Sequence, residues 1–269
     1  MARQMTNPHV ARIVLYPIKS LDGVAVERAR VLANGALEHD RTFAIRDPEG
    51  LFVNGKRTPA VHTLRSTFDF TRRTVSFDVG SHEGRPRSFD LDTDRAEVER
   101  WLGTYFALAG PARLVENSAG GWPDDTNAPG PTVVSTATLQ AVAGWFPGIS
   151  LDEVRRRFRA NLEIDGVEPF WEDRLYREAG QTISFEIGPV RYHGTNPCQR
   201  CVVPSRDTLT GDVTSQFART FLAQRERTLP PWAERSRFDH FYRLAVNTRL
   251  VEIADEDTIR LGDTVRIIH

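Results

Sequence analysis

The only two cysteines of this 269-residue chain sit together in Asn196-Pro-Cys198-Gln-Arg200-Cys201-Val-Val203. A second pair would complete a structural zinc site, and a βαβ setting would suggest a thioredoxin-type redox centre. The chain offers neither, which leaves one soft thiolate able to ligate a metal or a metal cofactor. Arg200 and Arg206 flank the pair and favour both an ionised sulfur and any anionic group beside it. The basic residues add a second signal. Of the 35 lysines and arginines, only Lys19 and Lys56 are lysine. A compact ammonium on a flexible stem suits a phosphate, whereas the arginines can equally be ordinary surface charge.

The elements that must position these residues read mostly as strands. Val10–Tyr16 is β-rich and is stopped by Pro17, and Lys19–Gly23 reads as a turn. Arg41–Arg46 and Leu51–Val53 form a hairpin across Asp47-Pro-Glu-Gly50, and Thr67–Thr71 pairs with Thr74–Asp78 across Arg72-Arg73. Apolar spacing at Val98, Trp101, Leu102 and Tyr105 predicts a helix within Asp94–Leu108. Glu116–Pro131, rich in Gly, Asn, Asp and Pro, reads as a long loop or a boundary. Ser135–Thr138 caps a helix through Trp145, and its hydroxyls at a helix N-terminus also suit an oxyanion. Asp152–Arg159 is helical in composition. Gln181–Ile187 and Val190–His193 are strands that lead to the cysteine pair, Asp207–Gly211 is a turn, and Leu244–Val246, Leu250–Ile253 and Ile259–Ile268 return to β character. The expected fold is mainly β with α: an antiparallel barrel or sandwich with a few helices.

Composition narrows the classes further. Apolar residues make up 40% and charged residues 26%, an ordinary globular balance, and a net charge of −1 gives no whole-chain attraction to nucleic acid or an anionic membrane. No apolar run approaches the roughly 20 residues that cross a bilayer. Met1–Val10 lacks the pattern of a secretory leader, so a cytoplasmic location with reduced thiols is expected.

Five separated segments together resemble one family. Tyr16-Pro-Ile-Lys19-Ser20-Leu-Asp-Gly23, His39-Asp40-Arg41-Thr-Phe43, Arg159-Ala-Asn161, Cys198-Gln-Arg-Cys201 and Asp207-Thr-Leu-Thr-Gly211 follow one another as in the MOSC proteins that carry an N-terminal MOSC β-barrel region. The resemblance implies a β-barrel MOSC fold with a barrel-like subdomain, divided as residues 1–125 and 126–269. It is similar to the YcbX-type branch and to the mitochondrial amidoxime-reducing component, and so implies a molybdenum-cofactor-dependent reductase of small N-hydroxylated compounds. By the same resemblance Cys201 ligates molybdenum and is the catalytic residue. The cofactor is held by Lys19, Ser20, Arg41, Ser135, Thr136, Arg159, Asn161 and Arg200. Ala160 departs from the family's Arg-Pro-Asn pattern. No cysteine follows Cys201 to hold an iron–sulfur cluster, so electrons are expected from separate proteins, a flavin reductase with a ferredoxin or a cytochrome.

Other readings stay open. A cofactor carrier or sulfur-relay module would use Cys198 as an accessible thiol, and a zinc-binding structural protein would need more than two thiols. Pyridoxal chemistry would need Lys19 or Lys56 as its Schiff base. Cys198 can also be a small buried residue, His193 a proton donor or a structural histidine, Lys56 a cofactor or substrate contact or a solvated hairpin tip. Asp207 reads as the shaper of its own turn, and Glu116–Pro131 and Arg225–Phe238 as variable loops able to contact substrate.

Overall fold

Strand β1 (His9–Leu15) buries Val10, Ile13 and Leu15, a spacing that a plain alternation would not give. A bulge in its pairing with β10 (Leu162–Asp165), between Val10 and Arg12, inserts the extra residue and turns both Val10 and Ile13 inward. The structure, a computed structural model, describes residues 7–79, 86–253 and 257–268. Residues 1–6, on which most of the expectation about a leader falls, lie outside them.

The remaining strands are β2 (Val24–Val26), β3 (Arg28–Arg30), β4 (Phe43–Arg46), β5 (Arg65–Asp69), β6 (Thr74–Asp78), β7 (Arg87–Asp90), β8 (Arg113–Glu116), β9 (Val133–Ser135), β11 (Ile183–Ile187), β12 (Val190–Gln199), β13 (Arg243–Ile253), β14 (Thr258–Arg260) and β15 (Val265–Ile267). Four helices interrupt them: α1 (Arg95–Tyr105), α2 (Thr136–Gly144), α3 (Leu151–Phe158) and α4 (Phe217–Arg227). The main sheet runs β15-β11-β12-β13-β9-β10-β1-β2. β3 follows β2 after one residue and pairs with β14, which precedes β15, so the β3–β14 ladder joins the two edges of the sheet around one apolar core. The sheet is mixed rather than purely antiparallel. β9 and β10 are parallel, and the connection that parallel pairing demands is made by α2 and α3.

A second core lies under the three-stranded sheet β5-β6-β7, the β4–β8 ladder and α1, where Val98 and Leu102 face Phe77, Phe89 and Leu114. A third packs α2, α3 and α4 around Phe146, Phe158, Phe217 and Phe221. Strand pairing crosses 125/126: β1 and β3 hydrogen-bond to β10 and β14, both beyond residue 126. β12 runs on past His193 as far as Gln199, carrying Cys198 into the sheet. It passes so close to the 3-10 turn Trp171–Leu175 that a Cβ on Gly194 would lie 1.8 Å from the Leu175 carbonyl oxygen, and only glycine fits there.

Candidate functional site

Between the Tyr16–Asp22 turn, the 54–65 segment, the 120–130 loop, α3 and the cysteine loop opens a cleft of about 670 Å³. That volume suits a cofactor or a drug-sized ligand. Lys19, Ser20, Arg41, Arg159, Asn161, Arg200 and Cys201 all line it. The chain arrives at these residues through strained turns. Ser20 (φ 76°), Arg41 (φ 51°) and Arg159 (φ 53°) are all left-handed, a conformation that non-glycine residues adopt only when their surroundings enforce it. Arg159 is the residue that ends α3, where its amide still bonds to the Arg155 carbonyl.

Two guanidinium groups bracket Tyr16, Arg159 at 4.1 Å and Arg41 at 5.5 Å from its ring centroid. Arg41 is paired with the adjacent Asp40, whose other carboxylate oxygen accepts the Tyr16 amide at 2.8 Å. Arg159 is different. Among the described residues its guanidinium donates one hydrogen bond, to the Leu21 carbonyl at 2.6 Å, and no carboxylate comes within ion-pair distance of it. Burial, with Arg41 nearby, lowers its pKa from the ordinary arginine value. An anion placed here would relieve that cost. Arg200 donates to the Phe158 carbonyl at the end of α3, 2.7 Å, and its Nε is buried without a partner.

Lys19 reaches the 120–130 loop, donating to the Trp122 carbonyl at 2.9 Å and to Asp124 at 2.6 Å. Desolvation in the cleft wall would raise the Asp124 carboxyl, yet Arg41, Lys19 and Arg159 together pull it down to about 2. The Asp124 side chain is 81% exposed, so solvent screens this pairing and it contributes little to stability. A carboxyl depressed in the folded state supports folding above its unfolded value, and that support fades as pH falls from there toward 2. We expect an NMR titration to give Asp124 a midpoint well below an ordinary aspartate, and Lys19→Met to raise it. An ordinary midpoint in the unaltered protein would remove the Lys19–Asp124 contact from this description.

Asn161 is less a ligand contact than a tie. Its Oδ1 accepts from the Thr132 amide and hydroxyl, both at 3.2 Å, and from Arg41 at 3.4 Å, while its Nδ2 donates to the Val14 carbonyl. Ser135 and Thr136 do not line the cleft. Ser135 is fully buried, accepting the Thr138 amide as the cap of α2, and its own amide is bonded to Glu172, so the capping role consumes it. The Thr136 hydroxyl is buried without a partner. His193 also lies off the cleft, its Nδ1 3.1 Å from the Ser184 hydroxyl on the neighbouring strand. Asp207 accepts the amides of Leu209 and Thr210, as its turn requires. Arg225 is no loop residue; it is buried in α4.

The two cysteines have opposite settings. Cys198 is 5% exposed, its thiol contacts the Asn247 side-chain oxygen, and burial pushes its pKa up to about 11. Cys201 is half-buried, past the end of β12, on a loop tied down by Arg157 to the Pro204 carbonyl and by Glu153 to the Thr208 amide. Among the described residues, no three His, Cys, Asp or Glu side chains are grouped to hold a metal by themselves. The set that exists is one half-buried thiol, Cys201, in a cleft that Lys19, Arg41, Arg159 and Arg200 also line. It fits a metal that brings its own anionic ligands. Tyr16, Asp40, Asp124 and His62 join the cleft without having been singled out; the first two lie inside the family-like segments, whereas Asp124 sits in a loop with no periodic pattern to mark it.

Comparisons with known proteins place the chain in a family. Residues 7–112 match the MOSC N-terminal beta barrel domain and residues 132–266 match the MOSC domain. The chain is 24% identical over 236 residues to the molybdenum cofactor sulfurase of Drosophila yakuba, covering 78% of this chain and 29% of that protein. It is 23% identical over 252 residues to the human molybdenum cofactor sulfurase, covering 76% of this chain and 27% of the relative. It thus spans less than a third of the length of these relatives. The YuaD protein from Bacillus subtilis aligns along 97% of this chain and 96% of its own, with 11% identity and a TM-score of 0.40. With both domain models matched in order along most of its length, the chain belongs to the MOSC family.

Proposed function

We propose that the cleft binds molybdenum cofactor and that the protein reduces N-hydroxylated compounds with electrons delivered by separate redox proteins. The observation that carries the reading is one cleft lined both by the half-buried Cys201 and by Arg159, a buried cation with no carboxylate partner among the described residues. When bound, the cofactor would supply the two-electron reduction: the N–O bond takes up two electrons and two protons and leaves an N–H product and water. The chain supplies the rest. The Cys201 thiolate anchors the metal. Lys19, Ser20, Arg41 and Arg159 hold the anionic part, Asn161 fixes the position of Arg41, and the 54–65 segment walls off the space in which the substrate lies.

The sulfurase relatives raise a second reading, a sulfur relay or cofactor carrier. A relay through Cys198 would need an accessible thiolate, and a buried thiol with its pKa near 11 works against that. The deciding experiment is molybdenum and pterin analysis of protein purified from a host that makes the cofactor, followed by benzamidoxime reduction with a reduced viologen as electron donor. Near-stoichiometric molybdenum with turnover, absent with NADH alone, is the expected result. Loaded protein that leaves benzamidoxime intact but passes its cofactor to an apo-acceptor would replace the reductase by the carrier.

A further inference from the structure

The wall of the cleft nearest the cysteine loop comes from the 54–65 segment, and it is fitted closely. A Cβ on Gly55 would lie 2.7 Å from His62 Nε2 and 3.3 Å from a methyl of Val203, two residues beyond Cys201. The turn is fixed by Asn54, whose side-chain oxygen accepts the amides of Lys56 and Arg57. Lys56 therefore stands at the cleft beside the cysteine loop, exposed and lining the cavity. Among the described residues its ammonium has no carboxylate within ion-pair distance, whereas the adjacent Arg57 is paired with Asp47.

The ground behind Lys56 is also positive. Arg65 is paired with Asp22 at 3.3 Å and donates to the His62 carbonyl at 2.7 Å, and its Nε is buried without a partner. Arg206 donates to the Gly211 carbonyl and likewise keeps a buried, partnerless Nε. His62, buried with Nε2 3.2 Å from the Gly55 carbonyl, has its pKa lowered by burial and by Arg206, Arg159 and Arg65, so it favours the neutral form and adds no positive charge of its own. Arg65 and Arg206 thus add two cations near His62, of which Arg65 is paired with Asp22. In a chain with two lysines, one of them lines this cleft and has no ion pair among the described residues.

We infer that Lys56 is a specificity-determining residue and that the preferred substrates carry, besides the reacting nitrogen, an anionic group, a carboxylate or a phosphate. An ammonium in a cleft of like charge gains a charge-assisted hydrogen bond from such a group and nothing comparable from a neutral one. The inference rests on the reductase reading only for the word substrate. Its test is a binding measurement.

Isothermal calorimetry of the cofactor-loaded protein with 4-carboxybenzamidoxime and its neutral counterpart 4-carbamoylbenzamidoxime compares the charge alone. The carboxylate is expected to bind about tenfold more tightly, a preference that shrinks as salt rises. Lys56→Met should bring the ratio near one and Lys56→Arg should largely keep it. Lys56 is exposed on a turn held by Asn54, so neither change threatens folding. Equal affinity in the unaltered protein, or a preference that survives Lys56→Met, overturns the inference. Preferential binding without N–O reduction would instead sink the reductase reading and leave this one standing.

Discussion

Replacing Cys201 with alanine is expected to strip the purified protein of molybdenum and to bring benzamidoxime reduction down to background, while circular dichroism stays unchanged. The side chain is half-buried at a cleft rather than in a core, so its loss removes a ligand and leaves packing intact. Cys198 provides the control. It packs with Leu244, Ala245 and Phe158 and contacts Asn247, whose Nδ2 in turn lies 3.3 Å from Asp125 on the 120–130 loop. Serine can donate the same hydrogen bond, so Cys198→Ser should keep its molybdenum and most of its activity. Cys198→Ala should lose both the bond and the packing of the buried sulfur, about 1–3 kcal/mol of stability. Equal loss of metal in the Cys201 and Cys198→Ser proteins would mean that both sulfurs are ligands, and full retention in Cys201→Ala would remove the thiolate from the proposal.

The contrast between the cysteines also shows what the sequence could and could not disclose. Spacing alone marked the pair, and Cys201 stood out only through a family-like segment. What separates the two is that β12 runs six residues past His193, which puts Cys198 inside the sheet and Cys201 beyond it. Strand length past a Gly-Thr-Asn-Pro stretch has no local signature, since glycine and proline there argue for a turn. Local patterns found the β5–β6 hairpin, α1, α2 and α3 because each has its own periodicity or cap. They missed β7 and α4, and they missed the parallel β9–β10 pair, whose register depends on contacts across the sheet. Ser135 carried two signals, a cap and an oxyanion site, and only burial beside Glu172 decides for the cap.

The same Glu172 belongs to a buried charged cluster with Asp173 and Arg225, and Arg225→Leu there is expected to destabilise the protein by about 3–5 kcal/mol, the usual result of removing one partner from a buried pair. Arg225 is 1% exposed, paired with Asp173 at 4%, and stacked 4.3 Å from the Phe170 ring centroid and 4.9 Å from that of Phe238. Leucine fills part of the space and leaves Asp173 without its cation. Next to it, Glu172 Oε2 accepts from the Thr138 hydroxyl at 3.0 Å, but Oε1 is buried with no partner, and the Arg225 Nε and Nη1 are unpartnered too. Burial first, and then the neighbouring Asp173, raises the Glu172 pKa; burial also raises that of Asp173 despite Arg225. The sign follows. The folded state holds a proton that the unfolded chain has released, so stability falls as pH rises from the ordinary glutamate value upward. Glu172→Gln keeps an acceptor for Thr138 and loses the charge. Chemical denaturation at acidic and mildly alkaline pH should therefore show the glutamine protein gaining on the unaltered one as pH rises. An unchanged difference between the two across that range would show that Glu172 is not the group that carries the proton.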